Sequence, residues 1–211
     1  MSLSESSPSS LRVQLRDATH HQHVQLNQHP LLNGLMQADY PLQRYQTVLL
    51  AYEQLYQALE AEIDDFVARN SLAFDYHSRR KSPAIQQDLA HFSDLPQLTS
   101  AELKLPSLND IGEWIGMLYV IEGSTLGGQH IARGLEKHLG LTQSAGAGFF
   151  YGYGEQTQGL WQDFIAFAES AVTDSEAIQL AATTACQTFD LFTLTLSHYW
   201  HQSTKPPTIR Q

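Results

Sequence analysis

Asn109-Asp110-Ile111-Gly112-Glu113-Trp114-Ile115-Gly116-Met117-Leu118-Tyr119-Val120-Ile121-Glu122-Gly123-Ser124-Thr125-Leu126-Gly127-Gly128 opens a segment that reads as a helix to Leu139, with Gly140 placed to stop it. Each residue of an α-helix advances about 100°, so relative to Gly116 the glycines at 112, 123, 127 and 134 fall within roughly 40° of one direction. A helix-interior glycine costs roughly 1 kcal/mol against alanine, so a five-glycine stripe needs a compensating reason. That reason is close approach to the backbone, by another helix or by a flat ligand. The hydroxyls of Ser124 and Thr125 beside the Gly127-Gly128 pair favour the ligand, because they let the helix kink and expose polar groups. Trp114, Met117, Leu118, Val120 and Ile121 make the rest of the segment apolar enough to be buried.

Working outward, Leu11, Leu15, Ala18, Gln22 and Leu26 recur at helical spacing, and Pro30 ends a first helix of about 10–29. From Leu42, just after Pro41, to about Asn70, the positions Tyr45, Leu49, Tyr52, Tyr56, Leu59, Ile63 and Phe66 step by three and four. Breaks are expected at 70–82 and 94–109, with a short helix of about 83–93 between them. A glycine-aromatic loop occupies 146–159. Two further helices follow, about 158–172 and 174–202, the second opened by Asp174 or Ser175. With no hairpin signal, no repeat and no linker, the chain reads as one all-α domain over 11–203, with tails at 1–10 and 204–211.

A chain of 211 residues, 42% of them hydrophobic, is long enough for a sizeable core. Its 12 Lys and Arg against 22 Asp and Glu give a net charge of −10, which excludes general nucleic-acid binding. The single cysteine, Cys186, excludes an intrachain disulfide and any cysteine-built zinc site. The Ser-rich start carries no basic residue and no apolar core, so no signal peptide is read. No apolar run approaches the roughly 20 residues of a membrane span. A cytoplasmic protein is expected.

The unusual ingredient is histidine, ten residues in all. His20 and His21 point toward water on the first helix, whereas His23 lies beside Thr19 at the edge of the Leu11-Leu15-Leu26 stripe. There it is either a core-boundary residue or an axial ligand to a heme iron, presented from an apolar wall. The competing diiron carboxylate site needs Glu-x-x-His pairs. Gly116 and Thr125 stand three residues after Glu113 and Glu122, and Glu53, Glu60 and Glu62 are followed by Tyr56, Ile63 and Asp65. His29, His77, His91, His130, His138, His198 and His201 read as solvated positions.

Two stretches carry a resemblance to the heme oxygenase family. Leu15-Arg16-Asp17-Ala18-Thr19-His20-His21-Gln22-His23 resembles its N-terminal L-[KR]-x-A-T-x-x-x-H signature, which makes His23 the match to the proximal heme ligand. Leu118 to Gln129 is similar to the distal helix of the bacterial branch, L-Y-V-x-E-G-S-x-L-G-[AG]. Phe149-Phe150-Tyr151-Gly152-Tyr153-Gly154 and Leu160-Trp161-Gln162-Asp163-Phe164 also look like the bacterial, bacteriophytochrome-associated members.

The resemblance implies a single-domain helical bundle clamping heme between the first helix and the glycine-rich helix. It implies opening of the ring to biliverdin, carbon monoxide and ferrous iron, with heme as both cofactor and substrate and His23 on the metal. Thr19 and Gly128 would border the heme. Gly123, Ser124 and Gly127 would form the catalytic face, with Ser124 standing where animal members carry an aspartate. Arg16 and Tyr119 would contact propionates, and Gln162 and Asp163 stand where a further arginine is expected. A ferredoxin or a reductase would supply electrons, and a bacteriophytochrome pathway would use the product. A non-enzymatic heme-binding protein of the same fold is the alternative.

Overall fold

A computed structural model describes residues 10–204; the expected tails lie outside it except for Ser10 and Thr204, which flank the first and last helices. The helices are α1 (Leu11–Asn27), α2 (Leu42–Asn70), α3 (Ser82–Ala90), α4 (Ile111–Leu139), α5 (Gly148–Tyr151), α6 (Thr157–Ala171) and α7 (Ser175–Ser203). Among the described residues there is no strand, and no helix is long and apolar enough to cross a membrane.

The ends of α4 and α7 follow from local chemistry. Asp110 caps α4 by accepting from the Gly112 N–H at 2.7 Å, while Glu113 accepts from the Asp110 N–H at 3.0 Å. Gly140 closes α4 in the left-handed region at φ 69°, as expected of a glycine there. Asp174, rather than Ser175, caps α7, its carboxylate accepting from the Ala177 N–H at 2.9 Å. The segment read as a glycine-aromatic loop contains the single turn α5, because Asp88 of α3 accepts from the N–H groups of Gly148 and Phe149 at 2.7 and 2.8 Å. This tertiary contact leaves no periodic signal.

Packing converges on α7, against which α1, α2 and α4 all lie. The apolar stripe of α2, from Tyr45 to Phe66, is buried as its spacing requires. His29 corrects the expectation of a solvated residue, being 7% exposed. Its Nδ1 accepts from the Leu31 N–H at 3.1 Å and its Nε2 lies 3.2 Å from Ser197 Oγ, so the turns after α1 fold the imidazole inward to bond α7.

Burial, reinforced by the nearby His201, lowers the His29 pKa to about 4 from 6.5. The unfolded chain therefore binds a proton that the folded chain refuses, and stability contributed by neutral His29 is lost as pH falls from about 6.5 to about 4. Thermal unfolding followed by circular dichroism should show a melting temperature falling across that window, and the fall should be shallower in His29→Gln.

Candidate functional site

The glycine row of α4 divides into two halves. Gly112 and Gly116 lie against the α7 backbone, where an added Cβ would collide with the carbonyl oxygens of Ala177 and Ala181. Gly134 has Met36 at 3.0 Å from the Cβ position, so it too faces protein. Gly127 differs, with nothing within 4 Å of the Cβ position and an exposed backbone. Gly123, half-buried, meets only the Trp161 ring edge at 3.6 Å. The stripe therefore divides into positions packed on protein, 112 and 116 against a helix and 134 against the turn at Met36, and an open backbone face at 123 and 127. Gly128 is covered too, because its Cβ position is 2.8 Å from the Phe150 carbonyl oxygen. It packs on the chain around α5 rather than bordering the open face.

Tyr119, one turn before Gly123, comes close to the Thr19 hydroxyl, one turn before His23. Burial raises the Tyr119 pKa, while the nearby Thr19 hydroxyl and the charges of Arg12 and Arg16 oppose that shift. Thr19 is itself buried and donates to the Leu15 carbonyl at 2.7 Å. Arg16 is exposed and pairs with its neighbour Asp17 at 2.8 Å. His23 is exposed as well, with its ring edge-on to Phe189 of α7 at 5.9 Å and Asn27 within 3.4 Å of the ring nitrogens. Phe192, the next turn of α7, stacks edge-on to Tyr56 at 5.6 Å. The Tyr56 hydroxyl lies 3.3 Å from Ser124 Oγ, and Ser124 donates to the Ile121 carbonyl at 2.7 Å. Phe189 thus meets His23, while Phe192, one turn on, meets Tyr56, which in turn meets the exposed Ser124 of the glycine segment. Gln162 and Asp163 are exposed on α6.

Behind this face lies a buried ionic cluster. Glu122, 1% exposed, accepts from Arg79 Nη1 at 2.9 Å, Lys81 Nζ at 2.7 Å and the Tyr153 hydroxyl at 2.8 Å. Glu60 accepts from the Lys81 N–H at 2.5 Å. The Arg79 guanidinium also covers the Phe74 ring at 4.9 Å. Burial pulls the Lys81 pKa down against the attraction of Glu122, and burial together with Glu122 pushes the Tyr153 hydroxyl upward. Two carboxylates and two cations leave the cluster close to neutral.

Tyr56, Phe189 and this cluster were not singled out from the sequence. Tyr56 and Phe189 are ordinary members of apolar stripes. The cluster did leave a signal: Arg79-Arg80-Lys81 is a cationic triplet in a cation-poor chain, and Glu122 interrupts an apolar run.

The heme oxygenase family model matches residues 9–198. A heme oxygenase from Xanthomonas campestris pv. campestris (strain 8004) is 30% identical over 148 residues, 70% of this chain and 85% of that protein. The heme oxygenase of Neisseria meningitidis, solved with NO and CO bound, superposes with a TM-score of 0.75 at 19% identity, covering 96% of this chain and 99% of that one. That of Leptospira interrogans gives a TM-score of 0.72 at 19% identity, over 90% and 99%. The all-α architecture is theirs. This chain belongs to the heme oxygenase family, and the family makes it an enzyme.

The division of the glycines is testable without any ligand. Gly116→Ala should destabilise by about 1–3 kcal/mol or more, because the α4–α7 contact cannot open locally. Gly127→Ala should be neutral or stabilise by up to about 1 kcal/mol through helix propensity. Chemical denaturation of the two heme-free variants reads both, and equal effects would contradict the division.

Proposed function

We propose that this chain catalyses the oxygen- and electron-dependent opening of heme to biliverdin, carbon monoxide and ferrous iron, with His23 as the iron ligand. One observation carries the reading. Thr19 on α1 and Tyr119 on α4 lie close together, one turn before the solvent-facing His23 and one turn before a glycine segment in which Gly127 has neither side chain nor neighbour. Bound heme supplies an iron that activates oxygen, and its own ring is the substrate.

The residues fit such a guest. The His23 ring is exposed, with Asn27 its hydrogen-bond neighbour and the Phe189 ring perpendicular to it at 5.9 Å between centroids. At Gly127, and less completely at Gly123, the absent side chain lets a flat molecule lie against backbone. A bulky side chain at either position would fill that space.

Ser124 and Tyr56 supply polar groups at the same face. Burial raises the Tyr56 pKa, so this phenol keeps its proton at neutral pH and is available as a donor to Ser124 Oγ. Ser124 points its own proton at the Ile121 carbonyl. The pair can orient water and pass protons on the open face, the task performed by an aspartate in the animal members. Arg16, with Arg12 one turn earlier on α1, provides positive potential for the propionates, and Tyr119 offers a hydroxyl donor. Arg16 must exchange its exposed Asp17 pairing for that contact, at small cost. A partner such as a ferredoxin or a reductase supplies the electrons.

Titration of the protein with heme should give a histidine-ligated Soret band, lost or shifted in His23→Ala. Reductant plus oxygen should then yield a biliverdin spectrum. Intact heme after turnover would instead support a heme carrier, and no spectral change on titration would indicate a heme-independent member of the fold. Gly127→Leu should keep the helical circular dichroism signal and suppress turnover by at least about tenfold; unimpaired turnover would remove Gly127 from the heme face.

A further inference from the structure

The segment from Gly123 to Gly128 holds three glycines, a serine and a threonine within six residues, yet α4 passes through it unbroken. Intrinsic propensity disfavours helix there by roughly 1 kcal/mol per glycine, so external contacts must hold its shape. Tyr56 and Trp161 touch Ser124 and Gly123, and the remaining contacts come largely from one stretch of chain. Tyr153 donates to Glu122 at 2.8 Å, and Gly152 packs its Cβ position 3.6 Å from Thr125. The Phe150 carbonyl meets Gly128, and Gln129 Nε2 donates to the Gly154 carbonyl at 2.6 Å and lies 3.2 Å from Thr157 Oγ1.

The contacted positions 122, 125, 128 and 129 are spaced by three and four, so they form one side of the helix. Gly123, Ser124 and Gly127 lie on another side, the one left open. The two ends of the braced stretch are its strongest points. Glu122 is anchored by Arg79 and Lys81 as well as Tyr153, and Gln129 is anchored to a backbone carbonyl that no side-chain substitution can remove.

We infer that residues 148–157 splint the glycine segment of α4, and that Glu122 and Gln129 are positioning residues that turn Gly123, Ser124 and Gly127 toward the bound heme. The orientation toward heme rests on the proposed function; the splinting does not. The arrangement explains why a cation-poor chain commits Arg79 and Lys81 to the interior. A neutral brace would hold one end of the segment less specifically than a carboxylate with three directed donors.

The test compares Tyr153→Phe, which keeps every charge, with Gln129→Leu, Glu122→Gln and the core variant Val48→Ala as a control for general destabilisation. In the heme-free full chain, amide hydrogen exchange at residues 124–128 should accelerate by at least about tenfold in Tyr153→Phe and Gln129→Leu, while Val48→Ala leaves it within about twofold. With heme added, the two splint variants should show a shifted Soret band and weaker binding, and Val48→Ala should show neither. Exchange indistinguishable from the Val48→Ala control would overturn the splint, even if Glu122→Gln fails to fold. Faster exchange with an unchanged Soret band and affinity would overturn the positioning role and leave a structural brace. A wild-type chain that gives no Soret change with heme would contradict the proposed function, and the exchange comparison would still decide the splint.

Discussion

The approach of α4 to α7 at Gly112 and Gly116 is the constraint on which the rest of the structure depends. Two helices normally stand 8–10 Å apart because side chains separate them, and small residues at a crossing let the backbones come closer. Here the carbonyl oxygens of Ala177 and Ala181 fill the space where a Cβ would sit. α7 in turn receives α1 and α2, so the placement of α4 fixes where Tyr119 meets Thr19 and where Ser124 meets Tyr56. A single row of glycines therefore serves packing at one end and an uncovered backbone in its middle.

The Glu122 cluster illustrates how a chain poor in cations uses them. Burying an ion pair is poor evidence for stability, since desolvation offsets most of the attraction, but leaving one partner alone is strongly unfavourable. Arg79, Lys81 and Tyr153 satisfy Glu122 from three directions, and the Lys81 ammonium also donates to the Arg79 carbonyl at 2.7 Å. Such a cluster is directional where an apolar contact is not. Set beside the glycine segment, it fixes the rotation of a helix whose own sequence resists being helical.

Much of this was legible in the sequence, and the failures share a cause. The first two long helices read correctly because Leu11–Leu26 and Tyr45–Phe66 repeat every three to four residues, and Gly140 and Asp174 mark ends by local chemistry alone. The wheel projection also found the glycine row, but it treats every glycine on a face alike. Only the neighbours at Ala177, Ala181, Met36 and Trp161 distinguish a packing glycine from an exposed one. The resemblance placed Gly128 among the residues bordering the heme, yet the Phe150 carbonyl covers its Cβ position. α5, the burial of His29 and the Glu122 cluster all depend on contacts between residues far apart in the chain. Arg79 and Lys81 lie in a stretch without periodicity, where sequence reading finds only a break.

The account's central claim is that α4 offers a bare backbone face across from a single ligating imidazole. The measurement that addresses it most directly is a crystal structure of the chain with heme. The predicted result is iron bound by a His23 ring nitrogen and a porphyrin plane in van der Waals contact with the backbone at Gly123 and Gly127. Ser124 should face the ring and Glu122 should remain bonded to Arg79, Lys81 and Tyr153. Iron bound through His20 or His21, or a porphyrin lying away from Gly127, would contradict the claim.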